Sequence, residues 1–313
     1  MSDFATDVKA GLTSHPKQLL SKYFYDAEGS RIFQQIMQLD VYYPTNKEYE
    51  ILETHKDTLL QHFQSKGIPF DLIELGAGDG LKTKILLAHY VAQQAEFRYS
   101  PIDISQSALV QLEQELHDEL PEVHVHAQAG DYFTALGRLQ HENGFRKVLL
   151  FMGGNIGNFS AKVAKAFLCQ INQFMDPGDL IVMGIDLRKN PRVILQAYDD
   201  PEGVTREFNL NLLRRINREL GANFQVDQFT HYPFYNIETG EVRSYLVSKI
   251  QQEVYISALE LSIQFDAWEY IHTEISKKYT IPEIEQLAHS CGFEVEEHLY
   301  DQDQYFVNSI WSK

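Results

Sequence analysis

Gly76, Gly78 and Gly80 stand at alternate positions directly after the mostly apolar run Leu72-Ile73-Glu74-Leu75, with Asp79 among them. Glycine lets the main chain bend tightly and lets a ligand approach without a Cβ in the way, and a helix can start at Leu81-Lys82-Thr83. This is the form of a nucleoside pocket at the end of a strand. It is not the dinucleotide fingerprint: G-x-G-x-x-G would put its third glycine at position 81, which is Leu81, so NAD is disfavoured. Glu74 and Asp79 make the turn acidic, which is awkward beside a pyrophosphate and tolerable beside a cationic ligand. Asp103 ends a second strand-like run about 23 residues past Gly80, near the interval expected of an acid that receives ribose hydroxyls. Asp131 closes a third run, where a carboxylate could recognise a base amino group.

Three acids at successive strand ends require a sheet that brings those ends to one edge. The hydrophobic pattern predicts an N-terminal helical segment to about residue 60, then strands near 71–75, 97–102, 123–128, 147–152 and 180–186 alternating with helices. After Asp186 the rhythm changes. Residues 191–220 read as helical, and 231–263 alternate as antiparallel strands about the turn Glu238-Thr239-Gly240-Glu241. A helix from Ile281 stopped by Gly292, followed by strand patterns over 293–299 and 305–310, can rejoin the first sheet. The expectation is an α/β chain with a core of 61–188 plus 279–313. A second, discontinuous α+β domain of 1–60 plus 189–278 accompanies it, with the substrate pocket expected where the two meet.

The net charge of −17 argues against nucleic acid as a partner, and Lys277-Lys278 is too short a basic run to reverse it. No basic-hydrophobic leader and no apolar span of membrane length is seen, so a cytoplasmic protein without a membrane partner is expected, with a monomer favoured. Cys169 and Cys291 are distant in sequence and read as reduced core residues. His124 and His126 share a strand face but have no cysteine partners, so no metal is expected.

The glycine turn with Asp103 and Asp131 resembles a class I S-adenosylmethionine-dependent methyltransferase, with its Rossmann-like core. Longer stretches narrow the resemblance: Lys22-Tyr-Phe-Tyr-Asp-Ala-Glu-Gly-Ser30, Tyr42-Tyr-Pro-Thr45 with Glu48, Phe151-Met-Gly-Gly-Asn-Ile-Gly-Asn-Phe159, Ala197-Tyr-Asp-Asp-Pro-Glu-Gly-Val204, Ile216-Asn-Arg-Glu-Leu220 and Thr273-Glu-Ile-Ser-Lys-Lys278. In this order they are similar to the histidine Nα-methyltransferase family of ergothioneine biosynthesis, across nearly the whole chain.

The resemblance implies methyl transfer from S-adenosylmethionine to the α-amine of histidine or methylated histidine, ending at the trimethylated betaine, hercynine. It implies cofactor contacts at Gly76, Lys82, Asp103, Asp131 and Tyr132. It implies that Tyr25, Gly153 and Asn158 orient the amine, Tyr198 joins Asn158 on the α-carboxylate, and Tyr42, Glu274 and Ser276 receive the imidazole. Glu274 and Ser276 are two apart in an alternating segment and so share a strand face. Ser244 and Asn155 depart from the methionine and threonine expected of the family. The alternatives are a relative acting on another amino acid or imidazole compound, and a cofactor-binding module that transfers nothing.

Overall fold

The computed structural model describes residues 2–139 and 144–313. They divide into two compact units, residues up to Tyr43 with Arg188–Lys278, and Pro44–Leu187 with Tyr279–Lys313.

The larger unit is built on a seven-stranded sheet in the order Glu294–Tyr300, Phe306–Ser312, Leu180–Asp186, Arg146–Phe151, Phe70–Leu75, Phe97–Asp103, Gln128–Ala129. The last five run parallel; Phe306–Ser312 is antiparallel to both of its neighbours. Successive residues of a strand point to opposite faces, and here both faces are covered, so Phe70–Leu75, Arg146–Phe151 and Leu180–Asp186 are buried along their whole length. Leu72 packs in a cluster with Phe63, Leu86, Tyr90 and Tyr99, while Ile73 packs in another with Leu149, Leu168 and Ile284. The C-terminal helix and strands rejoin this sheet as expected, and the α/β class is observed.

Two details differ from expectation. The boundary near residue 60 would cut the helix Tyr43–Gln64, whose Ile51, Leu52, Leu59, Leu60 and Phe63 are buried in the same cluster as Phe70 and Leu72; the division falls at residue 43 instead. Removing one such buried ring, as in Phe63→Ala, should cost about 3–5 kcal/mol. The strand expected over 123–128 forms only as a bridge between Tyr99 and Val125 and as the short strand Gln128–Ala129 at the sheet edge. With pairing on one side only, the run keeps two bonds to Tyr99, from its N–H to the His124 carbonyl and from the His126 N–H to its carbonyl.

The second unit carries a four-stranded sheet in the order Lys17–Gln18, Tyr270–Lys277, Glu241–Ser248, Phe229–Asn236, and a hairpin of Gln252–Ile256 with Leu261–Phe265. Along Glu241–Ser248 burial alternates, with Val242, Ser244, Leu246 and Ser248 turned inward, the signature of a sheet with one covered face. The helix Val204–Leu220 supplies Phe208, Leu212, Leu213 and Ile216 to this unit's core, which also holds Phe24, Ile32 and Ile271. The helical reading of 191–220 resolves into two helices, Pro191–Gln196 and Val204–Leu220. Between them Asp200 accepts the N–H groups of Val204 and Thr205 at 2.9 and 2.8 Å and so satisfies two of the free donors that open the second.

Candidate active site

In the larger unit, the strand Phe70–Leu75 ends on Gly76, whose φ of +79° is open to glycine at little cost. A Cβ there would stand 2.8 Å from the Tyr132 hydroxyl, so the turn and Tyr132 face each other closely. Asp103, at the end of the neighbouring strand, accepts the Gly78 N–H at 3.1 Å and the Ser105 N–H at 2.8 Å. Burial, and then the charge of Asp103, pushes the Tyr132 hydroxyl up to about 12. Gly76, Asp103 and Tyr132 are therefore one constellation. Asp131, beside Tyr132, is exposed; hydrogen bonds from Thr134 hold it below the usual carboxylate range, and it also caps the helix Tyr132–Leu139.

Glu74 corrects the expectation of an acidic turn. It is buried, accepts a hydrogen bond from Thr83 at 2.7 Å and another from Tyr99, and so points into the fold. Burial raises its carboxyl to about 7, against the opposing hydrogen bonds of Tyr99 and Thr83. The acid left at the turn is Asp79, which is exposed and accepts the Leu81 N–H at 3.2 Å.

Lys82, on the first turn of the helix Leu81–Ala92, is ion-paired with Glu48, whose side chain is fully buried. The same carboxylate accepts the Gly153 N–H at 3.0 and 2.9 Å. Gly153 takes a φ of +78° just past the strand Arg146–Phe151, and a Cβ there would lie 3.5 Å from the Lys82 ammonium. Asn158 closes the short 3₁₀ turn Asn155–Asn158 that follows, half-buried. Glu48 was part of a motif without an assigned role; the structure makes it the anchor of both Lys82 and Gly153.

The second unit gathers the other group. Glu274 lies on the strand Tyr270–Lys277, paired opposite Ser244, whose hydroxyl donates to its carboxylate at 3.2 Å. Burial raises Glu274 to about 7, while the Ser244 hydrogen bond and then the Lys278 charge act in the opposite direction. Tyr25 follows the 3₁₀ turn Ser21–Phe24, edge-on to Phe33 at 5.4 Å and Phe208 at 5.7 Å. Although 48% of Tyr25 is exposed, its phenol is raised by burial, then by the charges of Glu274 and Tyr198. The Tyr198 hydroxyl donates to Ser276 at 2.8 Å. Tyr42 stands further off, edge-on to Phe33 at 6.2 Å. Tyr25, Tyr198, Glu274 and Ser276 thus form one polar cluster, with Tyr42 joined to it through Phe33.

Lys278 belongs to that cluster; the sequence shows it as half of a dibasic pair and as the end of the stretch Thr273–Lys278, with no role of its own. It is 1% exposed, and its ammonium donates to Tyr198 at 2.7 Å and to Ser276 at 2.9 Å. The signal was present: residues 274, 276 and 278 continue the alternation of the strand.

A family model described as a histidine-specific, S-adenosylmethionine-dependent methyltransferase matches residues 4–313. The chain belongs to this family. Relatives include the histidine N-alpha-methyltransferases of Mycolicibacterium smegmatis and Mycobacterium tuberculosis, 36% and 37% identical over 273 residues, each covering 87% of this chain and 83% of its own. A more distant one, N-methyltransferase imqF of Aspergillus flavus, is 26% identical over 99% of this chain and 86% of its own. This member of the family is an S-adenosylmethionine-dependent methyltransferase. Among its described residues no helix is long and apolar enough to cross a membrane.

The glycine turn fits that cofactor. Where a Cβ would stand at Gly78 there is nothing within 4 Å, so the loop leaves room beside Asp103, and the half-buried Asp103 retains lone pairs beyond its two N–H contacts.

Proposed function

We propose that this chain transfers methyl groups from S-adenosylmethionine to the α-amine of histidine, continuing through the methylated histidines to the trimethylated product. The observation that carries the reading is the cluster of Glu274, Ser276, Tyr198 and Tyr25 in a member of this family. A half-buried carboxylate and a buried hydroxyl on one strand face suit a ring with two nitrogens, and an apolar side chain would leave them unpaired at about 1–3 kcal/mol each.

S-adenosylmethionine, when bound, supplies an electrophilic methyl on a positively charged sulfur. On this reading Asp103 accepts from its ribose, Asp131 and Tyr132 border its adenine, Gly76 admits its close approach, and Lys82 directs an N–H not used by Glu48 toward its carboxylate. Asn158 holds the α-carboxylate of histidine; Glu274 and Ser276 hold the ring, with Tyr198 donating to Ser276 and Tyr42 nearby. The Gly153 carbonyl and Tyr25 keep the amine lone pair aimed at the methyl, so alignment supplies most of the acceleration. A phenol raised above its ordinary value stays protonated at neutral pH, so Tyr25 orients the amine and solvent removes its protons.

Ser244 favours attention to a second reading, a related amino acid or imidazole substrate. It touches Glu274 directly where the family was expected to place methionine, and so alters the wall of the ring site. Purified protein with isotope-labelled S-adenosylmethionine and a panel of amino acids and simple imidazoles tests both. Preferential labelling of histidine supports the proposal; preference for another compound supports the second reading; cofactor binding without transfer to any of them leaves a binding module.

A further inference from the structure

We propose that Lys278 is a positioning residue that fixes Ser276 as a hydrogen-bond donor, so that the ring site accepts one nitrogen with its proton and one with its lone pair free. This rests on the reading above, in which Glu274 and Ser276 receive the ring.

Hydrogen-bond capacity decides which way Ser276 turns its proton. A serine hydroxyl has two lone pairs and one proton. The Lys278 ammonium donates to Ser276 Oγ at 2.9 Å and the Tyr198 hydroxyl donates to it at 2.8 Å, so both lone pairs are engaged. Lys278 also donates to Tyr198 Oη at 2.7 Å, closing a triangle of short bonds about a side chain that is 1% exposed. An ammonium has no acceptor, so its bond to Ser276 cannot reverse, whereas a hydroxyl in its place could turn either way. Ser276 is left with a proton to give. Glu274, two residues earlier on the same strand, presents a carboxylate that receives a proton donor. One donor and one acceptor side by side match a neutral imidazole, which carries one N–H and one bare nitrogen. The amide of Lys278 donates to the Gly240 carbonyl at 2.7 Å, which seats the residue at the strand end independently of its side chain.

Rings that lack the bare nitrogen separate this role from simple packing. The two isomers of pyrrolylalanine, with the N–H at either ring position, keep a donor for Glu274 and give Ser276 nothing to donate to. In the native chain kcat/KM for histidine should exceed that for the better isomer by about tenfold or more, the effect of one unpaired buried donor. In Lys278→Met the ratio should fall to within about threefold, because Ser276 can then turn its proton to Tyr198, while the Kd for S-adenosylmethionine stays within about twofold. A ratio unchanged in Lys278→Met that still binds the cofactor overturns the proposal. If that variant does not fold, a native ratio below about threefold overturns it without any variant. Failure of the native chain to methylate histidine at all removes instead the functional reading beneath it.

Discussion

The buried carboxylate of Glu48 accepts the main-chain N–H of Gly153 at 2.9 and 3.0 Å while also pairing with the Lys82 ammonium. One side chain on the helix Tyr43–Gln64 thus sets both the cofactor-side lysine and the turn proposed to face the amine. Glu48→Ala leaves Lys82 without this partner and the Gly153 N–H unsatisfied, so a stability loss of about 3–5 kcal/mol is expected, with weakened cofactor affinity. Urea unfolding and calorimetric titration with S-adenosylmethionine measure the two effects. Unchanged stability and affinity would show that Glu48 anchors neither group.

Gly76→Ala should weaken cofactor binding by two separable causes, the strain of a side chain at φ +79° and the contact of its Cβ with the Tyr132 hydroxyl. Tyr132→Phe removes that hydroxyl. The double variant should therefore recover part of the loss, leaving about 1–2 kcal/mol for the backbone. A double-mutant cycle on cofactor Kd reads the difference; strict additivity would mean that the two residues do not meet.

Burial raises Glu74 to about 7 from an ordinary 4.5. The folded state holds this proton more tightly than the unfolded chain, so the contribution to stability is complete below about pH 4.5 and is lost as pH rises through about 7. Glu74→Gln removes the titration. Relative to the native chain it should gain stability between about pH 5 and pH 8, by at most about 3 kcal/mol. A stability difference that stays constant across that range would contradict the assignment.

Glu274→Ala should raise the KM for histidine by about tenfold or more and leave the cofactor Kd within about twofold. With the carboxyl raised to about 7, native histidine affinity should increase as pH rises through that value. Ser244→Ala removes a hydrogen bond to Glu274 that favours the charged form, so this limb should move to higher pH. Equal loss of histidine and cofactor binding in Glu274→Ala would make Glu274 a support of the fold instead.

Much of this arrangement was legible before the fold was known, for a physical reason. The strand Phe70–Leu75 and its glycines are marked by a local change from apolar residues to glycine, and Glu274 and Ser276 by a period of two; both signals lie within a few residues. Glu48 was not legible as an anchor because its partners, Lys82 and Gly153, are 34 and 105 residues away. Glu74 was misread because nothing local says whether an acid at a strand end faces a ligand or the hydroxyls of Thr83 and Tyr99. Lys278 escaped because it lies one residue past the strand Tyr270–Lys277 and beside another lysine, where a solvated pair is the usual reading.

Every role proposed for the ring site and the amine rests on methylation of the α-nitrogen of histidine. Incubating the purified chain with histidine and S-adenosylmethionine bearing a deuterated methyl, then locating the label by tandem mass spectrometry, tests it most directly. Successive labelled methyl groups are expected, all on the α-nitrogen, ending at the trimethylated product. Label on a ring nitrogen, or no label on histidine while the cofactor is bound, would contradict it.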